Sequence, residues 1–261
     1  MSPVPVADVP VSKGYVLCGE PRAGTNLLCQ ALQSTGVLGM PEDYFNGAGL
    51  RKRLWPDYPE DRERQFQAIM TRGATPNGVY GFKIFSAMAD RVRATRWSDR
   101  LPGLHFVHVR RDDMLAQAIS YVRALQSGQY RASANARPEP RYDRRAIRYQ
   151  LHQMVYNQAR WQAFFIRNDI VPLRLVYEDF SADMQAVVDR IAVHIELEGT
   201  GTEGRATVNP EAMTLAIQRD GISAEWRARF LQESRKLSDL GEIGREPLAA
   251  PLIRKLLQLR R

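Results

Sequence analysis

The sequence predicts an α/β fold of the P-loop type: a doubly wound parallel sheet flanked by helices. Three observations carry that expectation. Short apolar runs alternate with stretches of helical periodicity, the pattern of successive βαβ units. The first run, GYVLCG at 14–19, opens onto a glycine turn and a helix in CGEPRAGTNLL, 18–28. A later run, LHFVHV at 104–109, ends at two adjacent arginines and leads into a second helix.

The elements follow in order. Residues 14–19 read as a buried strand because they form an apolar run closed by glycine. The helix at 24–34 places Leu27, Leu28, Ala31 and Leu32 on one face and stops near Gly36. VYGFKIF at 79–85 and LHFVHV at 104–109 are two further buried strands. A helix at 112–126 starts at Asp112 or Asp113, either of which can cap it. The helix at 143–167 is long and amphipathic, with Ile147, Leu151, Met154, Val155, Trp161 and Phe165 recurring at helical spacing. A strand at 171–176 and a helix at 181–193 complete the alternation. Three stretches read as loops: 46–77, 128–141 and 198–208. Long loops in a compact α/β domain often bind an acceptor, and 46–77 and 128–141 are expected to do so. The 261 residues are read as a single domain, with 1–13 a loose leader carrying three prolines among its first ten residues.

Composition narrows the function. A hydrophobic content of 44 % supports a sizeable core. No apolar run reaches the length of a membrane span, and the N-terminus lacks the pattern of a signal peptide. A cytoplasmic protein without stable membrane insertion is therefore expected. Cys18 and Cys29 sit in apolar contexts and are expected to be buried and reduced. The net charge of +8, carried by arginine far more than lysine, suits an anionic partner. Nucleic acid is not expected to be that partner, because none of the familiar recognition motifs stands out.

The glycine turn supplies a narrower clue. Converging backbone N–H groups and the helix dipole make a strand–turn–helix junction an anion site. An NTPase loop needs a lysine for the β/γ-phosphates and then a hydroxyl for Mg²⁺. Here Thr25 and Asn26 occupy those positions, while Arg22 supplies a planar cation inside the loop. A metal-dependent kinase is disfavoured, and no metal is expected. If strand 104–109 lies beside strand 14–19, Arg110 or Arg111 emerges at the same carboxyl edge, where open α/β sheets bind ligands. Two anion sites on one edge suggest a nucleotide with phosphates at both ends. A P-loop kinase and a non-catalytic anion- or nucleic-acid-binding protein are the competing readings.

These segments together resemble the sulfotransferases that use 3′-phosphoadenosine 5′-phosphosulfate (PAPS), in particular the bacterial carbohydrate branch with its trehalose-type enzymes. The resemblance spans about 14–193 and rests on the glycine loop, STGVLGMPEDYF, TPNGVYGFK, HVRRDDMLAQAISYVRALQ and VYEDF. It implies a homodimer that moves a sulfuryl group from PAPS to a hydroxyl of a sugar, a glycolipid or a related small molecule. By resemblance, the stretch from Glu20 and Pro21 to Leu27 holds the 5′-phosphosulfate, with Arg22, Gly24, Thr25 and Asn26 touching its oxygens. Ala23 stands where serine is usual, and Asn26 where threonine or serine is usual. Arg111 and Ser120 are implied to grip the 3′-phosphate, with Arg110 as the competitor. Asp43 falls on the position of the general base, Glu42 is its alternative, and His108 is a third candidate. Lys83 matches a lysine near the leaving phosphate, which makes it catalytic alongside Arg22. Met40 replaces a sugar-binding acid, so trehalose itself is in question, and Trp55 and Tyr58 offer rings to stack on a sugar face.

Overall fold

The computed structural model describes residues 10–128, 139–180, 182–197, 205–214 and 221–235. Among these residues four parallel strands form one sheet in the order β2-β1-β3-β4. They are β1 (Lys13–Gly19), β2 (Val79–Phe85), β3 (Leu104–Arg110) and β4 (Leu173–Val176). The helices are α1 (Thr25–Ser34), α2 (Gly47–Arg53), α3 (Arg62–Thr71), α4 (Ser86–Val92), α5 (Met114–Ser127), α6 (Arg144–Arg167), α7 (Tyr177–Phe180), α8 (Met184–His194) and α9 (Gly221–Ser234). Gly19 is in register with Phe85 on one side and Val109 on the other, and Arg110 with Val176. All four strands thus end at one edge, and β1 ends in its middle.

Both faces of β1 are covered, which is why its sequence is a continuous apolar run. Tyr15 and Leu17 pack with Leu28 and Leu32 of α1 and Val188 and Ile191 of α8. Val16 and Cys18 point the other way, into a core shared with Phe66 and Ile69 of α3 and Trp161 and Phe165 of α6. Helices therefore cover the sheet on both sides, as a doubly wound fold requires. A smaller apolar cluster, Ile119, Val122, Ile147, Trp226 and Phe230, joins α5, α6 and α9. Cys18 and Cys29 are buried in the two different cores, as their apolar contexts predict.

The structure moves several boundaries. β3 extends to Arg110, and β4 begins at Leu173 instead of 171. α5 starts at Met114, where Asp113 caps it by accepting the Ala116 N–H at 3.0 Å. The helix expected at 181–193 is α8, which starts at Met184 with Asp183 as its cap, and the short α7 precedes it directly after β4. Lys13 already pairs with Val79, so the sheet begins inside the stretch read as a leader.

The largest difference lies at 46–77. This stretch is not an excursion but folds into α2 and α3, capped by Asn46 and Asp61 through the N–H groups of Gly49 and Arg64. It also buries Leu50, Tyr58, Phe66 and Ile69 in the core. Pro56 and Pro59 sit between the helices, and most of the polar residues face outward, which hides the pattern over so short a span. Residues 129–138 and 198–204, the larger parts of the other two expected loops, lie outside the described residues, as do 1–9.

Candidate active site

The β1–α1 turn is tight. The Glu20 carbonyl accepts the Ala23 N–H at 3.3 Å, and both Arg22 (φ 67°) and Gly24 (φ 79°) are left-handed. No side chain among the described residues caps α1, and the helix begins directly beyond the end of β1. Gly24 is demanded twice over. Besides its positive φ, a Cβ there would lie 2.4 Å from the Tyr177 ring and 2.8 Å from Phe180. Gly24→Ala is expected to cost about 2–4 kcal/mol, read from urea unfolding, because strain and overpacking add.

Cations gather beside this turn. Arg22 Nε donates to Ser120 Oγ at 2.9 Å, linking the loop to α5. Burial, with Arg111 and Arg123 nearby, lowers the Arg22 pKa. Arg111 lies over the Tyr177 ring, 4.6 Å from its centroid, and its Nε is 3.7 Å from Glu178. Glu178 also accepts the N–H groups of Asp112 and Asp113, which ties α7 to the start of α5. Arg123 donates to Ser223 of α9 at 2.6 Å. Three like charges held together in partial burial favour an anion among them. Of the two arginines the sequence leaves open, Arg111 belongs to this cluster. Arg110 pairs instead with Asp112 at 3.4 Å and lies near His108. Arg123 is missed by the sequence reading. Its spacing of three from Ser120 puts both on one helix face, which is the signal that could have found it.

The remaining loop residues have assorted roles. Pro21 offers its carbonyl to Gln117 Nε2 at 2.8 Å. Ala23 and Thr25 are buried, Leu27 half-buried. Glu20 is turned into the protein: its carboxylate accepts from Ser86 N, Trp161 Nε1 and Asn157 Nδ2.

A carboxylate stands on the other side of the loop. The Glu42 carbonyl accepts the Lys83 N–H at 3.0 Å, which lays the Pro41–Phe45 stretch along β2. Asp43 is 6 % exposed. Its Oδ2 accepts from Asn46 at 3.2 Å, while Oδ1 is buried with no hydrogen-bond partner among the described residues. Burial pushes the Asp43 carboxyl up from its ordinary value, and Lys83 nearby pulls it back. Lys83, itself buried, donates from Nζ to Asn26 Oδ1. Lys83 thus hydrogen-bonds the anion loop and acts on the base candidate through its charge alone. Glu42 is engaged with Arg53 at 3.6 Å. His108 packs on Phe165, and burial with Arg174 and Arg110 brings its pKa down to about 4.

The aromatic expectation is corrected in part. Tyr58 is 1 % exposed, and its hydroxyl donates to the Tyr44 carbonyl at 2.8 Å. Its ring stacks on Trp55, which in turn stacks on Tyr44 with Arg72 over it. Tyr58 is a core residue because the helices around it turn it inward, and it presents no face to a sugar. Met40 is half-buried, its N–H bound to Gly73 and its carbonyl to the Tyr44 hydroxyl.

Cations and helix N–H groups collect on one side of the β1 terminus and a buried carboxylate on the other. That division of labour suits an enzyme that moves a charged group from an anionic donor to a hydroxyl. Sequence comparison makes the class definite: the Stf0 sulphotransferase family model matches residues 14–233, and the chain belongs to that family. Two relatives cover nearly all of their own length. The trehalose 2-sulfotransferase of Mycolicibacterium smegmatis is 24 % identical over 85 % of this chain and 96 % of its own. That of Mycobacterium tuberculosis is 26 % identical over the same shares. The protein is therefore a sulfotransferase.

Proposed function

We propose that the protein transfers the sulfuryl group of PAPS to a hydroxyl of a sugar-containing acceptor, with Asp43 as general base. The observation that carries the reading is the buried Asp43, one oxygen without a hydrogen-bond partner among the described residues, within electrostatic reach of the Lys83 that hydrogen-bonds Asn26 of the anion loop. PAPS supplies an activated sulfuryl group on a 5′-phosphate and carries a 3′-phosphate besides. The loop from Arg22 to Asn26 and the first turn of α1 would hold the 5′ end. Arg111, with Ser120 and Arg123, would hold the 3′-phosphate, since these cluster with Arg22. Lys83 would neutralise charge growing on the bridging oxygen. Asp43 would orient the acceptor hydroxyl and take its proton. Glu42 has a guanidinium to satisfy and His108 a depressed basicity, so Asp43 is preferred to both.

The sugar-type acceptor is carried over from the relatives' substrate, with Met40 favouring a sugar other than trehalose. A cytoplasmic homodimer belongs to the same reading. Among the described residues no helix is long and apolar enough to cross a membrane.

Calorimetric titration with adenosine 3′,5′-bisphosphate, beside ATP–Mg²⁺ and 5′-AMP, tests the donor. Selective binding of the bisphosphate is expected. Preference for ATP–Mg²⁺ would put a kinase in its place, and no binding to any of the three would make the protein a non-catalytic one.

A further inference from the structure

We propose that Glu20 is a positioning residue: its carboxylate fixes the exit of β1, and with it the anion-binding turn, against α4 and α6. It rests on the sulfotransferase reading only for what the turn holds. Glu20 is 7 % exposed and lies at the first position of the loop. Oε1 accepts from Ser86 N at 3.3 Å and from Trp161 Nε1 at 3.1 Å. Oε2 accepts from Asn157 Nδ2 at 3.0 Å. Ser86 begins α4 directly after β2, while Trp161 and Asn157 lie one turn apart on α6. Every partner is a donor, so both oxygens act as acceptors, and the carboxylate is satisfied without any contact to a ligand.

The anchorage continues outward. Arg160 donates to Asn157 Oδ1 at 3.3 Å, which orients that amide, and Arg160 pairs with Asp90 of α4. Trp161 Nε1 is shared with the Gly19 carbonyl at 3.3 Å, the last residue of β1. Inward, the Glu20 carbonyl accepts the Ala23 N–H and so closes the turn that carries Arg22. A displacement of Glu20 is thus passed through two residues to the Arg22 guanidinium. Burying an acidic group beside an anion site opposes the charge of the ligand, and burial already pushes the Glu20 carboxyl up from its ordinary value. The arrangement is sensible only if the charge is consumed by its donors and serves to hold the loop.

The donor pattern supplies a specific test. In Glu20→Gln the amide nitrogen must face Asn157 Nδ2 or the Trp161 and Ser86 donors, so one pairing becomes donor against donor. Adding Asn157→Asp restores the complement: the amide introduced at position 20 donates to the carboxylate introduced at position 157, Arg160 keeps an acceptor, and the total charge is that of the parent. Amide hydrogen exchange is measured on the ligand-free parent, E20Q and E20Q/N157D. Exchange in E20Q is expected to rise about tenfold across 19–28 and at Ser86, with α8 unchanged, and to return to within about threefold of the parent in the double variant. The dissociation constant of adenosine 3′,5′-bisphosphate is expected to follow the same course.

Unchanged loop exchange in E20Q, a uniform rise through the whole chain, or no recovery in the double variant would overturn the proposal. Weakened nucleotide binding with parental exchange would mean that Glu20 touches the donor. If E20Q does not fold, Asn157→Ala removes one donor and keeps the carboxylate. It should then raise exchange in the same segment, and parental exchange there would overturn the proposal. Failure of the parent to bind the bisphosphate would sink the sulfotransferase donor reading, while the exchange data still decide the role of Glu20.

Discussion

Asp43→Asn is expected to lower kcat by about two to four orders of magnitude, the usual worth of a positioned general base. The affinity for adenosine 3′,5′-bisphosphate should hardly change. Asparagine keeps the volume and can still accept from Asn46, so the loss isolates proton transfer. The base works only when deprotonated, and burial raises its pKa. The rate in the parent should therefore fall as pH drops through a value above that of an ordinary aspartate. The variant should lack that limb. Release of the bisphosphate from PAPS with a saturating sugar acceptor reads both effects. Stability should move in the opposite direction. A carboxyl whose folded pKa lies above its unfolded value stabilises the fold below the unfolded pKa and loses that contribution as pH rises through the folded one. At neutral pH the ionised Asp43 is a burden, and Asp43→Asn should raise the unfolding free energy by about 1 kcal/mol. Full activity in the variant would remove Asp43 from the mechanism and return the role to Glu42.

Arg111→Ala is expected to weaken binding of the 3′,5′-bisphosphate about ten- to a hundredfold, the equivalent of one lost charge-assisted contact of about 1.5–3 kcal/mol. The affinity for 5′-AMP, which lacks the 3′-phosphate, should be little affected. The two nucleotides should then bind the variant about equally well. Arg110→Ala serves as the comparison, because Arg110 is engaged with Asp112 outside the cluster and should leave the preference intact. An unaltered preference in Arg111→Ala, or its loss in Arg110→Ala, would reverse the assignment. Calorimetry with both nucleotides decides it. Ser120 gives a weaker, parallel effect: without its hydroxyl, Arg22 loses the acceptor that links it to α5.

The strands were legible because β1, β2 and β3 bury both faces, so each reads as an apolar run between turn residues. α6 was legible for a different reason: twenty-four residues give its apolar stripe room to repeat. α2 and α3 were not, being seven and ten residues long and rich in charge. Their caps, Asn46 and Asp61, were visible in the sequence, but Gly47, Gly49, Pro56 and Pro59 argued for turns at the same place. In the site, the glycine turn and the arginine pair could be found by spacing alone. The choice between Arg110 and Arg111 could not. It depends on where β3 ends, since one residue of strand reverses the direction of a side chain. The duty of Glu20 was equally hidden, because its three donors come from residues 66 to 141 positions away.

The order of the strands has a consequence for how this enzyme can change. The described residues proposed to meet the acceptor, Met40 and Asp43, lie in the one crossover that leaves β1 and returns as β2. The nucleotide grip is distributed instead, over the start of α1, the end of β3, α5 and its neighbours. The acceptor half is therefore a cassette, contiguous in the gene. A graft of residues 38–85 from a relative, with Lys83 and the inward Tyr44, Phe66 and Phe82 retained, should exchange the sugar and leave the donor untouched. If the graft behaves so, new specificity in this architecture needs one splice, not a scattered set of coordinated substitutions.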